Sequence, residues 1–306
     1  MTSITLLVCV GVLVAYLGWV STETEIFIPK VLTKVLLPPY LMCNIVLHFN
    51  RSQLFHVILS CLVPLASIII SYFIFRLLAT LLRVDAHHRG LFALVGTVSN
   101  TIFVGIPVNM ALFGEPSLPY VLLYFFANTT FFWTFGCYVL ASEGEGKTKH
   151  TLFERIKLMF SPPLCGVIVG IALVILDLGL PKVIVDTCQY LGQLATPLAL
   201  MFVGIILQRV NWKETHMGKD IFLGLLTRLC LAPLILVFML SLIPLPLEMA
   251  RVFIIQSALP CMATISVMSA YYNADKEYGS TMVAISTVVG LITLPIWMSI
   301  IHSIQL

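Results

Sequence analysis

The 306-residue sequence predicts an all-α membrane protein: ten transmembrane helices in two inverted five-helix repeats. Three observations predict it. The chain is 59% hydrophobic and 10% charged, with a mean hydropathy of +1.03, whereas soluble domains carry about 25% charged residues. Apolar stretches near the roughly 20 residues needed to cross a bilayer core alternate with short polar breaks almost end to end. Finally, the second half of the chain repeats features of the first in the same order.

Following the apolar runs, the predicted spans are 3–21, 29–49, 54–82, 88–112, 118–141, 161–179, 183–208, 220–243, 249–272 and 279–303. They end at polar or Pro/Gly clusters such as Asn50-Arg51-Ser52-Gln53 and Gly114-Glu115-Pro116-Ser117. The first stretch, Ile4 to Val20, has no Lys or Arg before Lys30 and is read as a retained helix rather than a cleaved leader. The longest break, 142–160, is a basic linker between a first repeat, 1–141, and a second, 161–306.

Charge sets the predicted direction. With the N-terminus outside, the cytoplasmic loops hold thirteen Lys and Arg and the outer loops three, Arg51, Lys182 and Arg251. The positive-inside rule then places both termini outside the cell membrane. The net charge of +3 comes from residues at helix ends and points to orientation, not to nucleic acid. Eight cysteines lie mostly within apolar stretches and form no CxxC pair, so they read as small core residues rather than a metal or disulfide framework.

Cys61-Leu62-Val63-Pro64-Leu65 in span 3 matches Cys230-Leu231-Ala232-Pro233-Leu234 in span 8, and Pro38–Met42 matches Pro197–Met201. Trp133 and Trp297 occupy corresponding places in spans 5 and 10. Because five is odd, the second set enters the membrane with opposite polarity. Such inverted repeats place solute and ion sites near the midplane, at interrupted helices.

Spans 4 and 9 hold equivalent places, and both carry the marks of a break. Span 4 contains Gly96, Ser99, Asn100, Thr101, Gly105, Pro107 and Asn109. Span 9 contains Gln256, Ser257, Pro260, Cys261, Thr264 and Ser266. Proline removes a backbone donor and clashes with the preceding turn. The half-helix that starts beyond a break offers free N–H groups and partial positive charge, which suit an anion. The predicted substrate-binding set is therefore Ser99, Asn100, Thr101, Gly105, Pro107, Asn128, Gln256, Pro260, Cys261 and Thr264. Asn100 leads it, because an amide in hydrocarbon needs a partner and can both donate and accept. A plain kink, or a helix–helix hydrogen bond, is the structural alternative for each.

No Asp or Glu falls at the centre of a span, which disfavours a buried aspartate pair for cation exchange and a carboxylate site for an organic cation. Arg228, about two turns into span 8, is expected to snorkel to the cytoplasmic surface, with an anion contact as the sharper alternative. The seven histidines lie at span ends or in loops and receive no catalytic role.

The run Asn100-Thr101-Ile102-Phe103-Val104-Gly105-Ile106-Pro107, followed by Ala111-Leu112-Phe113-Gly114-Glu115, resembles the motif of the auxin efflux carrier family of membrane transporters. That family includes bacterial malate and malonate permeases and the plant PIN carriers. Leu259-Pro260, Ser286-Thr287 and Leu294-Pro295 extend the similarity to the C-terminal half. The resemblance implies that spans 4 and 9 cross at their breaks. It implies an elevator-like motion, with spans 1, 2, 6 and 7 as scaffold, and gives Asn100 a substrate-facing role. Plant carriers have Pro where this chain has Ser99 and Gln where it has Cys261, and many have a long cytoplasmic loop that is absent here.

The functional expectation is a secondary transporter of a small organic anion: a dicarboxylate such as malate or malonate, or an auxin-like carboxylate. It works by alternating access and needs no cofactor, either as a uniporter or coupled to H+ or Na+. The bilayer and the anion are its partners, nucleic acid is not, and a homodimer is the assembly considered. A membrane-embedded enzyme would need a buried nucleophile with its base or a motif such as HExxH, and neither occurs. A non-transporting sensor built on the same fold is the alternative.

Overall fold

The computed structural model describes residues 2–51, 59–144, 162–208 and 218–303. Most of the predicted linker, from residue 145 on, lies outside the described residues, as do Arg209 and Lys213. The described residues are helical apart from turns and one isolated backbone bridge. In chain order the helices are α1 (Thr2–Tyr16), α2 (Thr22–Val31), α3 (Leu37–His48), α4 (Leu62–Leu81), α5 (Arg89–Thr97), α6 (Ile106–Phe113), α7 (Leu118–Phe131) and α8 (Cys137–Glu143). They continue with α9 (Pro162–Ile175), α10 (Lys182–Gln208), α11 (Lys219–Leu226), α12 (Ala232–Leu242), α13 (Leu247–Ser257), α14 (Thr264–Tyr271) and α15 (Lys276–Ser303).

Five continuous stretches are long and apolar enough to cross a membrane: Glu23–His48, Leu62–Leu81, Lys182–Gln208, Lys219–Leu242 and Lys276–Ile301. Shorter apolar helices cover Thr5–Tyr16, Thr101–Phe113 and Pro162–Ile175. Large apolar side chains such as Leu62, Phe73, Leu77, Val183, Phe222 and Phe238 stand on the outside, where water would oppose them and lipid does not. The chain is a multi-pass membrane protein.

Several helices adjust rather than stop where proline interrupts their ladder. Wider π-helical turns at Leu32–Leu36, Thr101–Gly105 and Thr227–Leu231 precede Pro38, Pro107 and Pro233. In the last of these, Ala232 bonds back to the carbonyl of Thr227. Pro233 has no N–H to offer the carbonyl of Leu229. The indole Nε1 of Trp297 donates to that carbonyl instead, at 2.8 Å. A polar group that hydrocarbon could not satisfy is thus satisfied from inside the protein.

The chain forms two compact units, and each draws on both halves of the sequence. Unit 1 comprises Met1–Ser60, Ile102–Leu123 and Met159–Arg209, and unit 2 comprises Cys61–Thr101, Tyr124–Leu158 and Val210–Leu306. Spans 1, 2, 6 and 7, the scaffold implied by the family resemblance, fall in unit 1, which also takes Ile102–Leu123.

Unit 1 is built on two close helix pairs, α1 with α10 and α3 with α9. Glycine makes both possible. A side chain on Gly11 would run into the main chain of Met201, and one on Gly204 into that of Val8. In the second pair, Gly166 and Gly170 face the main chain of Pro38 and Met42. Their i, i+4 spacing is the small-residue pattern by which membrane helices approach closely. A wide groove of about 430 Å³ between α3 and α9 is lined by apolar residues and Lys34.

Unit 2 is tied at one end by His88. Its Nδ1 lies 2.9 Å from Asp275 and its Nε2 3.1 Å from Asp220, while its ring stacks on Tyr278 at 4.3 Å. Asp275 also accepts from the backbone N–H of Tyr278, so one carboxylate caps the start of α15 as well. Nearby, the Asp85 carboxyl accepts from the backbone N–H of His87, which with neighbouring basic groups holds it below its usual range. The carboxylate of Glu143 accepts from the N–H groups of Gly90 and Leu91 and caps the N-terminus of α5.

Candidate functional site

Both predicted interruptions are real. Helix α5 ends at Thr97, Val98 is extended, and helical structure resumes with the π turn at Thr101. Helix α13 ends at Ser257, and α14 begins at Thr264. The two broken stretches cross and pair as a single antiparallel bridge, Ser99 opposite Cys261. Asn100 N–H donates to the Pro260 carbonyl at 2.9 Å, and Met262 N–H to the Val98 carbonyl at 3.1 Å. Each break supplies the other with main-chain partners, which is what irregular backbone requires at membrane depth. Pro260 fits because it is needed only as an acceptor. Gly290 leaves room for its ring, since a Cβ there would lie 2.7 Å from Pro260 Cγ.

Side chains hold each break from a neighbouring helix. The amide of Asn128 on α7 grips the main chain of Ser99 in both directions: Ser99 N–H donates to its Oδ1 at 3.0 Å, and its Nδ2 donates to the Ser99 carbonyl at 3.0 Å. On the other side, Ser286 on α15 accepts from Cys261 N–H at 3.1 Å. Ser286 is a site-building residue that its hydroxyl alone could not announce, because buried serines often bond their own helix.

Arg228 corrects the sequence reading. It does not snorkel. Its relative exposure is 0%, and its guanidinium is turned to the crossing. It donates to the carbonyls of Gly96 at 3.0 Å and Thr97 at 2.5 Å, and to that of Ser257. These carbonyls end α5 and α13, so one side chain closes the C-terminal ends of both broken helices. The enclosed Tyr124 lies beside it. The π turn at Thr227–Leu231 that carries Arg228 is of a kind frequent at functional sites.

The predicted residues distribute unevenly. Ser99, Asn100, Thr101, Asn128, Gln256, Pro260, Cys261 and Thr264 all belong to unit 2, whereas Gly105 and Pro107 belong to unit 1. Asn100 stands directly before the resumed helix and is 8% exposed. Thr264 opens α14 and is partly exposed. Gln256 is shut inside unit 2, with neither amide atom hydrogen-bonded to protein. An enclosed polar group without a partner costs about 1–3 kcal/mol, so stability alone does not account for this glutamine.

The family model for membrane transport proteins matches residues 1–298. An uncharacterized transporter of Methanothermobacter thermautotrophicus is 24% identical over 304 residues, covering 96% of this chain and 95% of that protein. An uncharacterized transporter of Methanocaldococcus jannaschii is 23% identical over 299 residues, covering 95% and 94%. These are transporters rather than enzymes. By a match that runs almost end to end, the chain belongs to the membrane transport protein family, that of the auxin efflux carriers.

Proposed function

We propose that the protein carries a small organic anion across the cell membrane by alternating access, holding it where spans 4 and 9 cross. The observation that carries this reading is the backbone bridge between Ser99 and Cys261, which sets two interrupted helices against each other in unit 2. Beyond it, helical structure restarts at Thr101 and at Thr264. Starting helices carry partial positive charge, and carboxylates bind such ends. The solute class is a short carboxylate such as malate or malonate, or an auxin-like acid.

Ten spans in two inverted repeats, with both termini outside, is the topology that goes with this reading. The helix pairs of unit 1 support it. Span 1 packs on span 7 and span 2 on span 6, a pattern unchanged when each span is exchanged for its repeat equivalent. Unit 1 is the scaffold, and unit 2 bears the solute in an elevator-like motion. The repeats, 1–141 and 161–306, each contribute to both units.

Full-length protein in liposomes, offered labelled malate and malonate, tests the reading. The expected result is saturable uptake, abolished when unlabelled solute competes. Tight binding without flux would favour a sensor on the same fold. Neither binding nor uptake of any short carboxylate would overturn the assignment.

A further inference from the structure

The crossing contains a permanent positive charge with no carboxylate to balance it. Among the described residues, no Asp or Glu forms an ion pair with Arg228. Its bonds to Gly96, Thr97 and Ser257 all reach main-chain carbonyls, and its one side-chain neighbour of note, Tyr124, is a neutral phenol rather than a carboxylate. Arginine stays protonated in proteins, so burial does not relieve it of the charge. What balances it is geometry. The C-terminal end of a helix carries about half a negative elementary charge, together with carbonyls that lack intrahelical partners. Two such ends meet at Arg228, and together they supply about one negative charge against its one positive charge.

In carriers with discontinuous helices, these half-helix C-termini and their unwound carbonyls are where a coupling cation such as sodium is coordinated. In this chain the guanidinium is bonded to the carbonyls at those ends. We infer that Arg228 is a resident cation that pins the C-terminal ends of the two broken helices together and takes the place a coupling cation would otherwise occupy at the crossing. It is a positioning residue. It acts through the helix ends it closes, and it leaves the starting ends of the second half-helices for the solute. The consequence for coupling rests on the transporter reading. The closure of the helix ends does not.

The test uses purified full-length protein and reads stability and uptake separately. Arg228→Ala is expected to lower the thermal midpoint by about 10 °C, since removing one partner of a buried charged contact is among the largest single-site losses. Methylguanidinium at about 20 mM, far below denaturing concentrations, should recover much of that loss relative to choline at the same ionic strength, while wild type does not respond. Arg228→Lys keeps the charge without the planar fork and should fall between the two. It also serves where the alanine variant does not fold. Exchanging sodium for choline at fixed pH should change neither the midpoint of wild type nor its uptake rate.

A wild type stabilised or accelerated severalfold by sodium would overturn the inference. So would an alanine variant as stable as wild type, or one indifferent to methylguanidinium. If no anion is taken up at all, the transporter reading fails, while the midpoints still decide the role of Arg228.

Discussion

Replacing Asn100 with aspartate should leave the fold intact and reduce uptake of an anion at least a hundredfold. Asn100 is the last residue before the helix resumes at Thr101, and its own N–H is committed to Pro260. At that position Asn, Asp and Ser are nearly equivalent as helix caps, whereas alanine costs about 1 kcal/mol. On the proposed reading Asn100→Ala therefore combines two losses, a polar residue at the helix start and a hydrogen-bond donor for the solute. Asn100→Asp separates them. The carboxylate keeps the cap and repels a second negative charge. At about 4 Å and an effective dielectric constant near 20, that repulsion is about 4 kcal/mol, and every 1.4 kcal/mol is tenfold in affinity. The checks are the thermal midpoint and the initial rate of carboxylate uptake for wild type, Asn100→Ala and Asn100→Asp. An aspartate variant that transports an anion normally would remove Asn100 from the solute site. A variant that fails to fold would make it a structural cap.

The second large effect is expected in unit 1. Alanine in place of glycine within a helix ordinarily gains about 1 kcal/mol. Gly166→Ala should do the opposite, because the added Cβ would meet the main chain of Pro38, which cannot swing aside as a side-chain tip can. The α3–α9 pair must then part, and overpacking of this kind costs about 1–3 kcal/mol or more. Gly11→Ala, facing the main chain of Met201, should behave in the same way for α1 and α10. Gly179 has nothing within 4 Å of its missing Cβ and provides the control. Size-exclusion profiles and thermal midpoints in detergent should show losses at 11 and 166 and none at 179.

What the sequence revealed, and what it hid, follows from the range of each signal. The breaks near Ser99 and Pro260 were legible because Gly, Pro, Asn and Gln are conspicuous in hydrocarbon, and their effect on a helix is local. That the two breaks pair could be expected only from the family resemblance, because an antiparallel bridge between residues 99 and 261 leaves no mark in either segment. Arg228 was visible as a charge in an apolar run. Its partners were not, because main-chain carbonyls have no sequence signature and these lie 132, 131 and 29 residues away. Snorkelling, the usual answer for a membrane arginine, assumed that only water could satisfy it.

His88 shows the same limit. It read as a loop histidine, and its two carboxylates stand 132 and 187 residues further along. Asn128 was noticed for the cost of burying an amide, yet its use in gripping the main chain of Ser99 is a fact of tertiary packing. Composition and local breakers thus pointed to the place where the helices are interrupted, and long-range contacts supplied the parts that hold it.

The most direct measurement is a cross-link at the crossing. Ser99 and Cys261 form a bridge flanked by the hydrogen bonds of their neighbours, the non-hydrogen-bonded type of antiparallel pair. Such pairs have Cα atoms about 4.5 Å apart, within the range a disulfide can span. With the other seven cysteines replaced, Ser99→Cys should oxidise readily with Cys261. Cleavage at a protease site inserted between residues 145 and 160 would then leave the two halves joined until reductant is added, and uptake should stop on oxidation and return on reduction. Halves that separate whether or not oxidant was present would contradict the crossing, and with it the solute site proposed there.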